Sequence, residues 1–95
     1  MMITDTMLQE PITIQNKLGL HTRAAAKLVS LAAQFASKIQ LHYNGRVADC
    51  KSIMAIILLG LTKGAEAQLI ISGEDELEAR AAIVNLINDR FGEAE

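Results

Sequence analysis

The chain holds one cysteine, one proline and no tryptophan in 95 residues, and its only aromatic side chains are Phe35, Tyr43 and Phe91. A single cysteine excludes an intrachain disulfide framework. Together with two scattered histidines it offers no metal-ligand spacing, so no metal is expected. Three aromatics, two of them at positions that read as packed, are too few for the stacking platforms that read single strands, and no nucleic-acid partner is expected. The longest apolar run, Ile53 to Leu59, falls far short of the ~20 residues of a membrane helix. Residues 1–10 carry two acids and no base, which is not a secretory pattern. These absences point to a cytoplasmic, soluble, single domain with no direct membrane insertion.

What is present is aliphatic. The chain is 51% hydrophobic, mostly Ala, Leu and Ile, which is too apolar for disorder. A net charge of −2 conceals a division along the chain. Residues 11–63 hold seven bases and one acid, whereas residues 64–95 hold two bases and eight acids. Unless folding mixes them, such a split makes a dipolar molecule whose basic part attracts anions or acidic partners, an effect that salt screens.

The hydrophobic pattern divides the chain into seven elements. Residues 11–15 alternate, with Ile12 and Ile14 on one face, as a half-buried strand does. Gly19 breaks the chain before a helix over 22–36, whose stripe runs through Ala24, Ala25, Leu28, Leu31, Ala32 and Phe35. Residues 38–43 alternate again, and Asn44-Gly45 signals a type I′ hairpin that pairs Tyr43 with Arg46 and turns Ala48 and Cys50 inward. Ser52 opens a short apolar helix stopped by Gly60. A strand over 67–72 follows, and Glu74, Asp75 and Glu76 suit the positive end of a last helix reaching about Phe91. The order β-α-β-β-α-β-α predicts an α+β fold, with a four-stranded, mainly antiparallel sheet carrying three helices on one face. Residues 1–9 read as a flexible N-terminal extension and 10–95 as the domain.

One stretch breaks a local electrostatic rule. At the start of the first helix, where unpaired amides and a partial positive charge favour Ser, Asp or Asn, the chain places His21 and Arg23. An anion would resolve the conflict, because free amides and a guanidinium fork form a seat for phosphate. Imidazole is also a competent nucleophile toward phosphoryl groups when neutral. The plainer alternative is that Thr22 caps the helix and His21 and Arg23 are merely exposed. His42 reads as a solvated sheet residue and Cys50 as a small core residue.

Three segments, Gly19-Leu20-His21-Thr22-Arg23-Ala24-Ala25-Ala26, Lys51-Ser52-Ile53-Met54 and Leu59-Gly60-Leu61-Thr62-Lys63-Gly64-Ala65-Glu66, closely resemble the HPr family. These are the histidine-containing phosphocarriers of the bacterial phosphoenolpyruvate-dependent sugar phosphotransferase system, and their fold is an open-faced β-sandwich. The resemblance implies that His21 takes a phosphoryl group on Nδ1 from phospho-enzyme I and passes it to IIA components of sugar permeases. It implies that Arg23 balances the phosphoryl charge while amides of Thr22 and Arg23 bind its oxygens. The chain would then be a stoichiometric carrier without a cofactor, acting as a monomer, and not an enzyme with its own turnover. The family usually has Pro where this chain has Ala24, which restores one donor and loosens the turn.

Ser52 reads as an ordinary N-cap; the resemblance also makes it the serine that HPr kinase/phosphorylase modifies, placing negative charge in the basic half. The expected partner surface comprises Leu20, Thr22, Lys27, Lys51, Ile53, Met54 and Ile57, an apolar patch on the short helix beside basic residues. Two other roles share the same residues: a carrier of the nitrogen-type regulatory phosphotransferase chain, and a non-catalytic regulatory interaction module in which His21 is only exposed.

Overall fold

A computed structural model describes residues 7–95. Four strands, β1 (Leu8–Thr13), β2 (Lys38–Tyr43), β3 (Arg46–Asp49) and β4 (Glu66–Ser72), form one sheet in the order β1-β4-β2-β3. Every neighbouring pair is antiparallel. Three helices, α1 (Thr22–Ala32), α2 (Ile53–Leu59) and α3 (Glu76–Asn88), complete the expected α+β open-faced sandwich.

The period-2 pattern decides which face is covered. Ile39 and Leu41 of β2 and Ala67, Leu69 and Ile71 of β4 are buried, while Gln40, Gln68 and Ile70, pointing the other way, are only half-buried. Against them α1 sets Ala24, Ala25, Leu28 and Ala32, and α3 sets Ala79, Ile83 and Ile87. The β2–β3 hairpin turns at Asn44 and Gly45, both with positive φ (51° and 75°), and pairs Tyr43 with Arg46.

Three boundaries differ from the pattern-based reading. The first strand begins at Leu8, not at residue 11: Leu8 pairs with Ile71 and Gln9 with Ile70. Leu8 continues the inward alternation of Ile12, and Pro11 is accommodated because β1 lies at the sheet edge. The rest of the expected extension, residues 1–6, lies outside the described residues.

Helix α1 ends at Ala32, four residues early. The amides of Gln34 and Phe35 reach only three residues back, to Leu31 and Ala32, and those of Ala36 and Ser37 go to the Asp75 carboxylate at 2.8 and 2.9 Å. Asp75 precedes α3 yet does not cap it with its side chain; it ties the turn between α1 and β2 instead. The Ser37 hydroxyl, then the Ala36 amide, hold its carboxyl below the usual carboxylate range.

Helix α3 stops at Asn88 and a 3-10 turn follows at Arg90–Gly92. Arg90 and Phe91 adopt left-handed backbone (φ 54° and 55°), which costs of order 1–3 kcal/mol each. The turn buries the Phe91 ring completely, offsetting roughly 2–3 kcal/mol of that. It also sends residues 93–95 back across the start of α1.

Candidate functional site

The site is built where β1 hands the chain to α1. Gly19 has φ +69°, and a Cβ there would lie 2.5 Å from the Leu61 carbonyl oxygen. Only glycine therefore lets this turn press against the 61–62 backbone, where the Leu20 amide donates to Leu61 at 2.9 Å. His21 is the residue so delivered to the helix start.

His21, not Thr22, is the N-cap of α1: its backbone is extended (φ −73°, ψ −179°) and its carbonyl accepts from the Ala25 amide at 2.8 Å. Its side chain makes no capping bond, and the first turn contains no acid. The leading amides of α1 are thus left without intrahelical partners at the positive end of the dipole. Ala24 is buried.

The His21 ring is 29% exposed and turns toward the far end of the chain, with Nε2 2.6 Å from Oε2 of Glu93. Asn16, fully buried, donates from Nδ2 to the Gly19 carbonyl (2.7 Å) and to Oε1 of Glu93 (3.0 Å). The hydrogen bond with His21, and next the one from Asn16, hold the Glu93 carboxyl below the usual carboxylate range, with His21 and Arg23 charge acting in the same direction. The returning segment is fastened on both sides of this contact. Lys27 Nζ donates to the Phe91 carbonyl at 2.7 Å, and Lys17 pairs with Glu95 at 3.5 Å. Lys17, His21, Glu93 and Glu95 border a cleft of about 740 Å³ that also receives Thr22 and Arg23. Arg23 is exposed and makes no hydrogen bond or ion pair among the described residues.

The other expected residues fall into two groups. Ser52 caps α2, its Oγ accepting from the Ala55 amide at 3.3 Å. Met54 is 60% and Ile53 36% exposed beside exposed Lys51, whose ammonium reaches the Phe35 carbonyl. Thr22 and Lys27 are exposed, although the Lys27 head is held by Phe91.

Leu20 and Ile57 correct the expected surface. Leu20 is buried, because the Gly19 turn presses it into the core, and Ile57 is half-buried against that core. Leu58, 64% exposed, takes the place assigned to Ile57 on the outer face of α2. His42 is half-buried and contacts Gln40 on the sheet, while burial pushes the Cys50 thiol up to about 12 and keeps it protonated.

Sequence reasoning missed Asn16 and Glu93. Asn16 left a signal, since it continues the inward parity of Ile12 and Ile14 with a polar side chain. Glu93 left none, lying 72 residues from the histidine it contacts.

Comparison with known proteins is consistent with this geometry. The family model described as the PTS HPr component phosphorylation site matches residues 8–89. The phosphocarrier protein HPr of Cupriavidus necator is 49% identical over 89 residues, covering 94% of this chain and all of that protein. That of Pseudomonas aeruginosa is 48% identical over 85 residues, 88% of this chain and 94% of its own length. Among solved structures, HPr-C-His from Thermoanaerobacter tengcongensis superposes with a TM-score of 0.89 at 41% identity, covering 93% of this chain and 99% of that one.

Proposed function

The chain belongs to the HPr family and serves as a phosphocarrier of the phosphotransferase system, and from that premise we propose that His21 is the residue that carries the phosphoryl group. The observation that carries this reading is the uncapped start of α1, where an accessible imidazole and an unpaired guanidinium share a cleft with free helix amides. Neutral His21 attacks phosphorus, Arg23 meets the developing charge, and the amides of Thr22 and Arg23 receive phosphoryl oxygens. The donor is phospho-enzyme I and the acceptors are IIA components of sugar permeases. Acting as a cytoplasmic monomer, the chain has no turnover of its own; every phosphoryl group gained is one delivered.

Docking uses Thr22 and Lys27 on α1 and Lys51, Ile53 and Met54 around α2, joined by Leu58. A small basic and apolar surface suits brief encounters with several partners, because long-range attraction raises the encounter rate without deepening the bound state. Regulation by a kinase acting on Ser52 would set up to two negative charges beside Lys51 and the apolar patch, weakening that docking.

Incubation with enzyme I, phosphoenolpyruvate and Mg²⁺, followed by intact mass measurement, tests the reading. One acid-labile phosphoryl group is expected on the wild-type chain and none on His21→Ala. Labelling that persists in the variant would move the site elsewhere.

A further inference from the structure

Glu93 and Asn16 have no part in the reading above, although Glu93 hydrogen-bonds the His21 ring and Asn16 holds Glu93. We propose that Glu93, held by Asn16, is a positioning residue that keeps a proton on Nε2 of His21 and thereby reserves the Nδ1 lone pair for phosphorus.

The inference rests on His21 being the phosphoryl acceptor. An ionised carboxylate only accepts hydrogen bonds, so at 2.6 Å from Oε2 the ring nitrogen Nε2 must be the donor. Which ring nitrogen holds the proton is set by the bond its partner makes. Nδ1 makes no hydrogen bond among the described residues, so the proton surrendered when the ring becomes neutral is the one on Nδ1. The carboxylate is itself held in place, because the buried amide of Asn16 bridges Oε1 to the Gly19 carbonyl at the turn that delivers His21. Lys27 on Phe91 and Lys17 on Glu95 fasten the same segment on either side. A group brought back across 72 residues is thus held by three contacts besides its bond to His21.

The chemistry then balances without moving the Nε2 proton. The Nδ1 lone pair forms the N–P bond while the donor's bond to phosphorus breaks, and its electron pair stays with the donor. The ring, with phosphoryl on Nδ1 and hydrogen on Nε2, becomes cationic and faces the Glu93 carboxylate. On delivery the N–P bond breaks, its pair returns to Nδ1, and the ring is neutral with Nε2–H unchanged. Both directions are served by the same fixed charge, as a reversible relay requires.

Proton and nitrogen NMR of the His21 ring, combined with rapid-quench measurement of phosphoryl acceptance from phospho-enzyme I, tests the inference on the full chain. The wild type is expected to show a downfield Nε2–H signal protected from solvent exchange. Glu93→Ala should lose that protection and accept phosphoryl about tenfold more slowly, the size of one charge-assisted hydrogen bond. Glu93→Gln, which keeps an acceptor oxygen without the charge, should fall between. A Glu93→Ala variant with the ring proton still protected, or with the wild-type rate, overturns the positioning role. Phosphoryl acceptance by His21→Ala would instead overturn the assignment of the acceptor, so the two failures are distinct.

Discussion

Helices α1 and α2 begin in opposite ways. At α2, Ser52 bonds the Ala55 amide through its hydroxyl, so one leading amide is satisfied within four residues of chain. At α1, His21 holds the same backbone position but turns its ring away to Glu93, leaving the leading amides open. A serine cap is worth about 1 kcal/mol, so α1 forgoes a stabilisation that α2 takes. On the proposed mechanism, the difference separates an end that serves stability from one that serves chemistry. Amides already bonded to a hydroxyl cannot receive phosphoryl oxygens, whereas open ones can. The open end is held instead from outside the helix, by the Gly19 contact with the 61–62 backbone and by the Asn16–Glu93 bridge.

The contrast breaks most visibly at the α1 end. His21→Ala is expected to abolish phosphoryl acceptance while circular dichroism shows the fold intact, and Arg23→Ala to slow transfer by on the order of tenfold without abolishing it. Equal rates in Arg23→Ala and wild type, measured by rapid quench, would remove the guanidinium from the mechanism.

Gly19→Ala comes next. A methyl group at left-handed backbone, 2.5 Å from the Leu61 carbonyl, should cost about 1–3 kcal/mol in urea unfolding and reduce transfer as His21 shifts. Ser52→Ala should cost about 1 kcal/mol and leave phosphoryl acceptance unchanged, because the hydroxyl bonds the Ala55 amide while the His21 ring is held by Glu93.

Acid gives the smallest effect and the cleanest discrimination. Glu93 and Asp75 have carboxyls held below their ordinary range, so the stability they contribute is present above that range and is lost as pH falls through their lowered values. The Ser52 hydroxyl does not titrate. Amide exchange followed between about pH 5 and about pH 2 should therefore show residues 16–21 and 36–37, which flank α1, losing protection before residues 55–56 of α2. Simultaneous loss would mean that the two helix starts are not held independently.

Much of this arrangement was legible beforehand. The hairpin at Asn44-Gly45, the Ser52 cap, the Gly60 stop and the inward sides of β2 and β4 all depend on residues within a few positions of each other. Three of the differences share one cause. The early end of α1 depends on Asp75, the early end of α3 on burying Phe91, and the burial of Leu20 on a turn pressed against residue 61. Each is decided by packing against parts of the chain distant in sequence, which no local period or cap signal reports. The expected patch on α2 erred at Ile57 because a seven-residue helix that is apolar all round carries no stripe to orient it.

Local chemistry alone determined the seven elements, their α+β order, and the placing of an imidazole and a guanidinium where a helix start wants neither. Tertiary structure alone decided how that imidazole is held. The carboxylate on Nε2, the buried amide behind it and the lysines fastening the returning segment come from ends of the chain that meet only when α3 packs across the sheet. The physical reason is one of range: helix and strand periods and caps act over a few residues, whereas the orientation of a ring needs a fixed partner in space, and only packing supplies one.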